Sequence, residues 1–277
     1  MRVVLLPGFL WTPGDEAALV EAGLPVHVAP LTTLVDAVAD VAPAERAARL
    51  AAALSHHGDD VVVGYSMGAR VLLAALSAGL PTRAAVLVSL SSTPPADRAD
   101  RARLDAERAR ALVASVPDFV DAWGALPLFA DAARSPAWQA QQRRRRRLSS
   151  SAAAAHAATL TSFSSGTLVP GALDAVAVPV TLLAGGRDAS AVRVARATAA
   201  ALPQARVAVE AGVGHVLPLE APGAVVAAVM AAVTATSAAA ASSSAAAPSG
   251  ASPDRPPVAS SVLSASPRRT HVAPARS

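Results

Sequence analysis

The stretch VVVGYSMGAR, residues 61–70, joins an apolar run to a helix-like segment that continues to Leu76. The order of strand, sharp turn and helix places Ser66 at the tip of the turn, a position typical of a nucleophilic serine. Strand and helix backbones approach closely at such a turn, so the residues two positions to either side must lack a Cβ atom. Gly64 and Gly68 meet that requirement. The pattern predicts that Ser66 is a nucleophile rather than an ordinary turn serine.

A serine hydroxyl becomes a good nucleophile only when a base takes its proton and a third group orients that base. In chains with this turn, an acid and then a histidine follow the serine, each just past a later strand. Asp188 follows the buried-strand pattern of residues 180–184, and His215 lies in a glycine-bracketed loop after residues 206–209. We therefore predict that Asp188 is the acid and His215 the base. The alternatives are a helix N-cap for Asp188 and a surface loop histidine for His215.

The remaining histidines are poorly placed to act as the base. They lie in a short strand, at a helix C-terminus, in an alanine-rich helix and near the end of the chain: His27, His56, His57, His156 and His271. An oxyanion hole needs two backbone N–H groups, one from the residue after the nucleophile and one from a loop after an early strand. Met67 and Phe9 are the predicted donors.

The composition lacks cysteine, and by inspection also lysine, asparagine and isoleucine. All 24 basic residues are arginine, so the sequence pI near 11.0 reflects the chemistry of arginine more than the net charge of +4. Aromatic residues are few and are not gathered with the charge, so no nucleic-acid partner is expected. The exception is Arg143 to Arg147, which we interpret as a solvated helix face or a low-complexity run. No metal or other cofactor is expected, because thiolates and histidine pairs with ligand spacing are missing.

The sequences near the two ends of the chain allow a prediction of where the protein lies in the cell. The N-terminus enters a strand after two residues, with a proline and a glycine before any signal sequence reaches full length, so we expect a cytoplasmic protein. Residues 223–241 are apolar but mostly alanine and valine with three hydroxyl side chains inside, so we expect a last core helix and no membrane partner. Residues 237–277 are largely Ala, Ser, Pro and Arg, which predicts a disordered tail.

Alternating strand and helix patterns predict an α/β fold with a mostly parallel sheet covered by helices on both faces. The predicted strands are 3–6, 26–29, 61–65, 84–89, 180–184 and 206–209. The predicted helices of this domain are 43–55, 69–76, 192–202 and 223–233. Charged helical segments at 96–115, 117–123 and 135–163 predict a helical cap, about residues 94–165, inserted into a domain of residues 1–236.

These motifs resemble the α/β-hydrolases from the first strand through about residue 233. Within that superfamily, the chain looks most like the 2-succinyl-6-hydroxy-2,4-cyclohexadiene-1-carboxylate synthases of menaquinone biosynthesis. The resemblance rests on GYSMGAR at 64–70, RADRARLD at 98–105, DAW at 121–123 through PLF at 127–129, and LAGGRD at 183–188. An arginine four residues after the nucleophile and the W-x-x-x-P-[LV]-F pattern of the cap are its narrower features.

The resemblance implies a lyase that eliminates pyruvate from a polyanionic cyclohexene carboxylate. Ser66 would abstract a ring proton and would be activated by His215 and Asp188. Arg70 and Arg101 would hold substrate carboxylates, and Trp123 would match a cap aromatic residue of the family. In a chain with 24 arginines, however, any one of them is more often a solvated surface charge.

Two other functions remain open at this point. The same triad serves carboxylic-ester, thioester and carbon–carbon bond hydrolases, in which Ser66 forms an acyl-enzyme. A non-catalytic relative would bind a small ligand or a protein partner, although the intact Ser66, Asp188 and His215 argue against it. For the enzyme functions we expect a small-molecule anionic substrate, and a monomer or homodimer.

Overall fold

The computed structural model describes residues 2–245, with side chains described through residue 237. Six parallel strands form one sheet in the order β2-β1-β3-β4-β5-β6. The strands are β1 Val3–Leu6, β2 Val26–Val28, β3 Val61–Tyr65, β4 Ala84–Val88, β5 Val180–Gly185 and β6 Ala205–Glu210. The predicted fold class is confirmed, and each strand begins and ends within one residue of its predicted bounds.

The strands are continuous apolar runs because both faces of the sheet are buried. Along β1, Val3 and Leu5 pack into one core cluster, whereas Val4 and Leu6 pack into another on the opposite face. All four side chains are at most 6% exposed. A strand that buries alternate residues on two sides has no solvent face, so its sequence loses the polar alternation of a surface strand.

Helices cover both faces of the sheet. The helices α2 Arg46–Leu54, α3 Met67–Ser77 and α8 Ala189–Ala201 pack on one face. The helices α1 Ala17–Glu21 and α10 Pro222–Ala245 cover the other face, with the short α9 Leu217–Glu220 just before α10. The predicted helices at 43–55, 69–76, 192–202 and 223–233 are all present.

Between β4 and β5 the chain forms four α-helices, and two short 3-10 helices lie in the link between the second and the third. The α-helices are α4 Arg98–Ala114, α5 Val116–Gly124, α6 Pro136–Arg145 and α7 Ser150–Ser162. The single helix predicted over 135–163 is wrong, because the chain breaks after α6. The hydroxyl of Ser149 accepts a hydrogen bond from the N–H of Ala152 at 3.2 Å, so this serine caps a new helix.

The last helix is longer than its sequence pattern predicted. It runs from Pro222 to Ala245, past the predicted start of the tail at residue 237. The rest of that tail, residues 246–277, lies outside the described residues. In the described part of the chain, no helix combines the length and the apolar character that a membrane span requires.

The turn between β3 and α3 leaves no room for a side chain at Gly68. A Cβ atom there would overlap the carbonyl group of Leu6 in the neighbouring strand, and one on Gly64 would lie 2.6 Å from the Cα of Ala69. Strand β1 pairs with β3 up to Leu6 and Gly64. The two glycines therefore let the helix start directly against the end of the sheet.

Replacing Gly68 by alanine should destabilise the fold by roughly 3 kcal/mol, because the new methyl group meets rigid backbone rather than a movable side chain. Urea unfolding of Gly68→Ala measures this change. Gly223→Ala is the matched control, since a Cβ atom there has nothing within 4 Å; its stability should change by less than about 1 kcal/mol. Equal stability of the two variants would contradict the close approach at Gly68.

Candidate active site

Ser66 occupies the strained position that its sequence context predicted. It lies between β3 and α3 with φ 52° and ψ −106°, a conformation that a residue with a side chain rarely adopts. Its N–H donates to the carbonyl of Val88 at the end of β4, at 2.9 Å. Strain of this kind persists only where the surroundings enforce it, which here is the packed junction of β3, β4 and α3.

Ser66, His215 and Asp188 form one hydrogen-bonded chain, although they come from three separate loops. The Oγ of Ser66 lies 3.0 Å from Nε2 of His215, and Nδ1 of His215 lies 2.6 Å from Oδ2 of Asp188. A carboxylate can only accept, so Nδ1 carries the proton and Nε2 accepts from the serine hydroxyl. This arrangement can take a proton from Ser66.

Asp188 is held by two groups at once. Its other oxygen, Oδ1, accepts from the N–H of Ala191 at 2.9 Å, so the residue also caps α8. Burial alone would raise the pKa of Asp188, but the hydrogen bonds from His215 and from Ala191 outweigh burial and lower it. The carboxylate therefore stays ionised, and the two roles suggested by the sequence, helix cap and partner of His215, coexist.

The predicted oxyanion donors sit on adjacent loops. Because Leu6 pairs with Gly64, the loop that carries Phe9 and the turn that carries Met67 leave the same edge of the sheet side by side. Met67 is the first residue of α3, where backbone N–H groups have no acceptor within the helix. A helix N-terminus next to Ser66 suits a developing negative charge.

Trp123 belongs to an aromatic cluster that extends from the helices between β4 and β5 to His215. Its ring lies 5.0 Å from that of Phe9 and 5.9 Å from that of Phe129, measured between centroids. Phe129 in turn lies 6.2 Å from the imidazole of His215. The cluster forms an apolar wall beside the hydrogen-bonded chain and keeps water from that side.

Arg70 is buried one helical turn after Ser66. Its guanidinium donates to the carbonyl of Phe163 at 2.9 Å and to the hydroxyl of Ser91 at 3.0 Å. Burial, followed by the nearby charge of Arg101, lowers the pKa of Arg70 to about 10. Both hydrogen-bond acceptors are neutral, so this buried cation has no carboxylate bound directly to it among the described residues.

Arg101 lies near Arg70 but is paired with an acid. Its Nε donates to Asp105 at 2.8 Å, and this carboxylate is fully buried. Arg108 approaches the other oxygen of Asp105 at 3.5 Å. The structure therefore brings the two predicted arginines close together, and it adds Arg108, which the sequence did not single out.

Four arginines of the run have exposed side chains, as a solvated face requires, and the interpretation is wrong only for Arg145. Arg144 pairs with Asp15 at 2.7 Å and Arg146 binds Asp121. Arg145 is buried, and its Nε donates to the carbonyl of Leu10 at 3.0 Å. Leu10 has φ 58° and follows Phe9, so Arg145 fastens the predicted oxyanion loop to the cap.

His156, which the sequence placed only in an alanine-rich helix, lies beside the site. Its ring meets that of Phe9 edge-on, with centroids 6.2 Å apart. Burial, together with the charge of Arg145, lowers the pKa of His156 to about 4. An alanine-rich helix gives no sign of which face turns inward, so the sequence could not reveal this placement.

Comparisons with known proteins agree with this fold. The model of the alpha/beta hydrolase family matches residues 3–229. MenH from S. aureus superposes with a TM-score of 0.71 at 23% identity, covering 86% of this chain and 94% of that one. An esterase from Thermogutta terrifontis gives 0.60 at 21% identity, covering 85% and 90%. At these identities the structural likeness concerns the fold. No curated protein matches the sequence.

Replacing Asp188 by asparagine should slow modification of Ser66 by a fluorophosphonate by roughly 10³-fold or more, because an amide can also donate and no longer fixes the tautomer of His215. The rate of covalent labelling, followed by mass spectrometry, measures the effect. Asp174→Asn provides a control with the same charge change. Labelling of Asp188→Asn at the rate of the unmodified protein would show that the hydrogen-bonded chain does not activate Ser66.

His156 should make the fold more sensitive to acid. Its pKa is 6.5 in the unfolded chain and about 4 in the fold, so between these values the unfolded state binds more protons. Its contribution to stability is complete above pH 6.5 and is lost as the pH falls towards 4. Urea unfolding at pH 7.5 and pH 5 should show a smaller loss for His156→Gln than for the unmodified protein. A His156 NMR resonance that titrated near pH 6.5 would contradict this prediction.

Proposed function

The chain belongs to the α/β-hydrolase family, and from that premise we propose that it is a serine-dependent lyase. Its substrate would be 2-succinyl-5-enolpyruvyl-6-hydroxy-3-cyclohexene-1-carboxylate, from which it eliminates pyruvate. The sequence motifs that resemble the synthases of menaquinone biosynthesis support this proposal. The likeness of the fold to MenH over most of both chains is consistent with it.

The observation that carries the proposal is the buried cation of Arg70, one helical turn after Ser66, with two partly exposed arginines near it. Arg101 and Arg108 share Asp105, the one carboxylate that either of them contacts among the described side chains, and Arg70 contacts none. A buried cation without a bound anion is costly, and an anionic ligand relieves that cost. A substrate with several carboxylates suits this site better than a neutral ester.

In the proposed elimination, protons move along the hydrogen bond between Ser66 and His215. His215 takes the hydroxyl proton of Ser66, and the serine oxygen takes a proton from the substrate ring. The electron pair of that C–H bond moves through the ring double bond, and the C–O bond to the enolpyruvyl group breaks. The released enolpyruvate gains a proton and becomes pyruvate. Asp188 stabilises the imidazolium that forms in the first step.

A carboxylic-ester hydrolase is the second candidate, and the aromatic wall favours it. Phe9, Trp123 and Phe129 offer an apolar surface to an acyl or alcohol group. An esterase is also among the proteins of similar fold. In this case Ser66 attacks the ester carbonyl, and the N–H groups of Phe9 and Met67 stabilise the tetrahedral oxyanion.

Purified protein should release pyruvate from the cyclohexene substrate, and Ser66→Ala should reduce the rate by roughly 10³-fold or more. Arg70→Met should raise KM for this substrate roughly 30-fold, because a buried charge pair with a carboxylate is worth at least about 2 kcal/mol. Arg103→Met is the control, since this arginine is 70% exposed. The release of pyruvate is monitored by coupling it to the oxidation of NADH.

A short-chain nitrophenyl ester is assayed beside the cyclohexene substrate. Ester turnover that depends on Ser66, without pyruvate release, would replace the lyase proposal by the hydrolase. If both reactions occur, the ester rate of Arg70→Met shows that this variant is folded. If neither reaction occurs, the result would favour the interpretation that this protein binds a ligand and does not catalyse a reaction.

A further inference from the structure

The loop that carries His215 is fastened by the carboxylate of Glu220. Its Oε2 accepts from the N–H of Gly214 at 2.6 Å, and its Oε1 accepts from the N–H of Val216 at 2.8 Å. These are the residues immediately before and after His215. One side chain therefore fixes both peptide groups that flank the imidazole, through two charge-assisted hydrogen bonds.

Other contacts hold the same loop from the sheet side. The hydroxyl of Ser89, which is fully buried, donates to the carbonyl of His215 at 2.8 Å. The N–H of Arg187 donates to the carbonyl of Val213 at 2.9 Å, just before the predicted acid. A Cβ atom on Gly185 would overlap the carbonyl of Gly214, so the acid loop and the histidine loop touch along their backbones.

Glu220 also satisfies the start of its own helix, because Val216, from whose N–H it accepts, is the N-cap residue of α9. It ends the four-residue helix α9 and forms no ion pair with any described arginine or histidine. An uncompensated carboxylate on a surface helix would normally turn to water. The carboxylate of Glu220 instead lies against the loop that carries His215, and each of its oxygens accepts a hydrogen bond from one backbone N–H group.

We propose that Glu220 is a positioning residue, which holds the imidazole of His215 in line between Ser66 and Asp188. This inference rests on the proposed role of those three residues. The imidazole must meet a hydroxyl at 3.0 Å on one side and a carboxylate at 2.6 Å on the other. A small rotation of the backbone at residues 214–216 would break one of the two hydrogen bonds, because the ring is rigid.

The test compares Glu220→Gln with Glu210→Gln, a control that removes the same charge near the same loop without a side-chain hydrogen bond among the described residues. An amide keeps one acceptor and turns an NH₂ group towards the second N–H. We expect two rates to fall roughly 100-fold in Glu220→Gln: kcat for pyruvate release, and the rate at which a fluorophosphonate labels Ser66. A loss of this size is the effect of misplacing a catalytic group by about 1 Å. KM should not change.

The position of the imidazole is measured directly by proton NMR. The Nδ1–H of His215, which donates to Asp188, should give a far-downfield resonance that is broadened or lost in Glu220→Gln and kept in Glu210→Gln. The thermal midpoint of both variants is recorded. Should Glu220→Gln not fold, Glu220→Asp keeps both oxygens on a side chain one methylene shorter, and an intermediate labelling rate is expected.

A role in stability alone predicts a different result. In that case Glu220→Gln would melt earlier, but its folded fraction would label Ser66 at the normal rate and keep the downfield resonance, which would overturn the proposal. The proposal would also be overturned if the unmodified protein neither reacted with the fluorophosphonate at Ser66 nor showed the downfield resonance of His215. Labelling and resonance without pyruvate release would refute only the lyase function, so the two failures are distinguishable.

Discussion

The close approach of backbone at the turn after β3 is the constraint on which the rest of the structure depends. Gly68 lies against Leu6, so α3 starts in direct contact with the end of β1. This contact forces Ser66 into its strained conformation and brings the loop after β1 beside the start of α3. One junction of main chain therefore places the candidate nucleophile and the two candidate oxyanion donors.

Arginine carries out in this protein the tasks that other proteins divide between arginine and lysine. Arg145 binds a carbonyl, Arg144 binds a carboxylate, and Arg70 is buried with neutral acceptors. The planar guanidinium has five N–H donors, so it can satisfy a carbonyl and still present further donors elsewhere. The arginines therefore have several distinct roles, and two of them, Arg144 and Arg145, hold α6 against the segment after β1.

The sequence predicted the sheet well because apolar runs that are buried on both faces leave little ambiguity. It also predicted Ser66, Asp188 and His215, which the structure joins by hydrogen bonds, since their order along the chain follows the order of the strands. The sequence did not predict that Arg145 is buried and its four arginine neighbours are not. Adjacent residues of the same type differ only in the face of the helix on which they lie. Glu220 was also missed, because its two partners are backbone groups, which leave no trace in sequence.

The contact between Gly185 and Gly214 restricts how this protein can evolve. The acid loop and the histidine loop touch through main-chain atoms, so a larger residue in one loop requires the other to move. A lineage could vary the four helices between β4 and β5 while keeping this contact. Diversity is therefore expected in the cap, whereas the two loops are expected to change only as a pair.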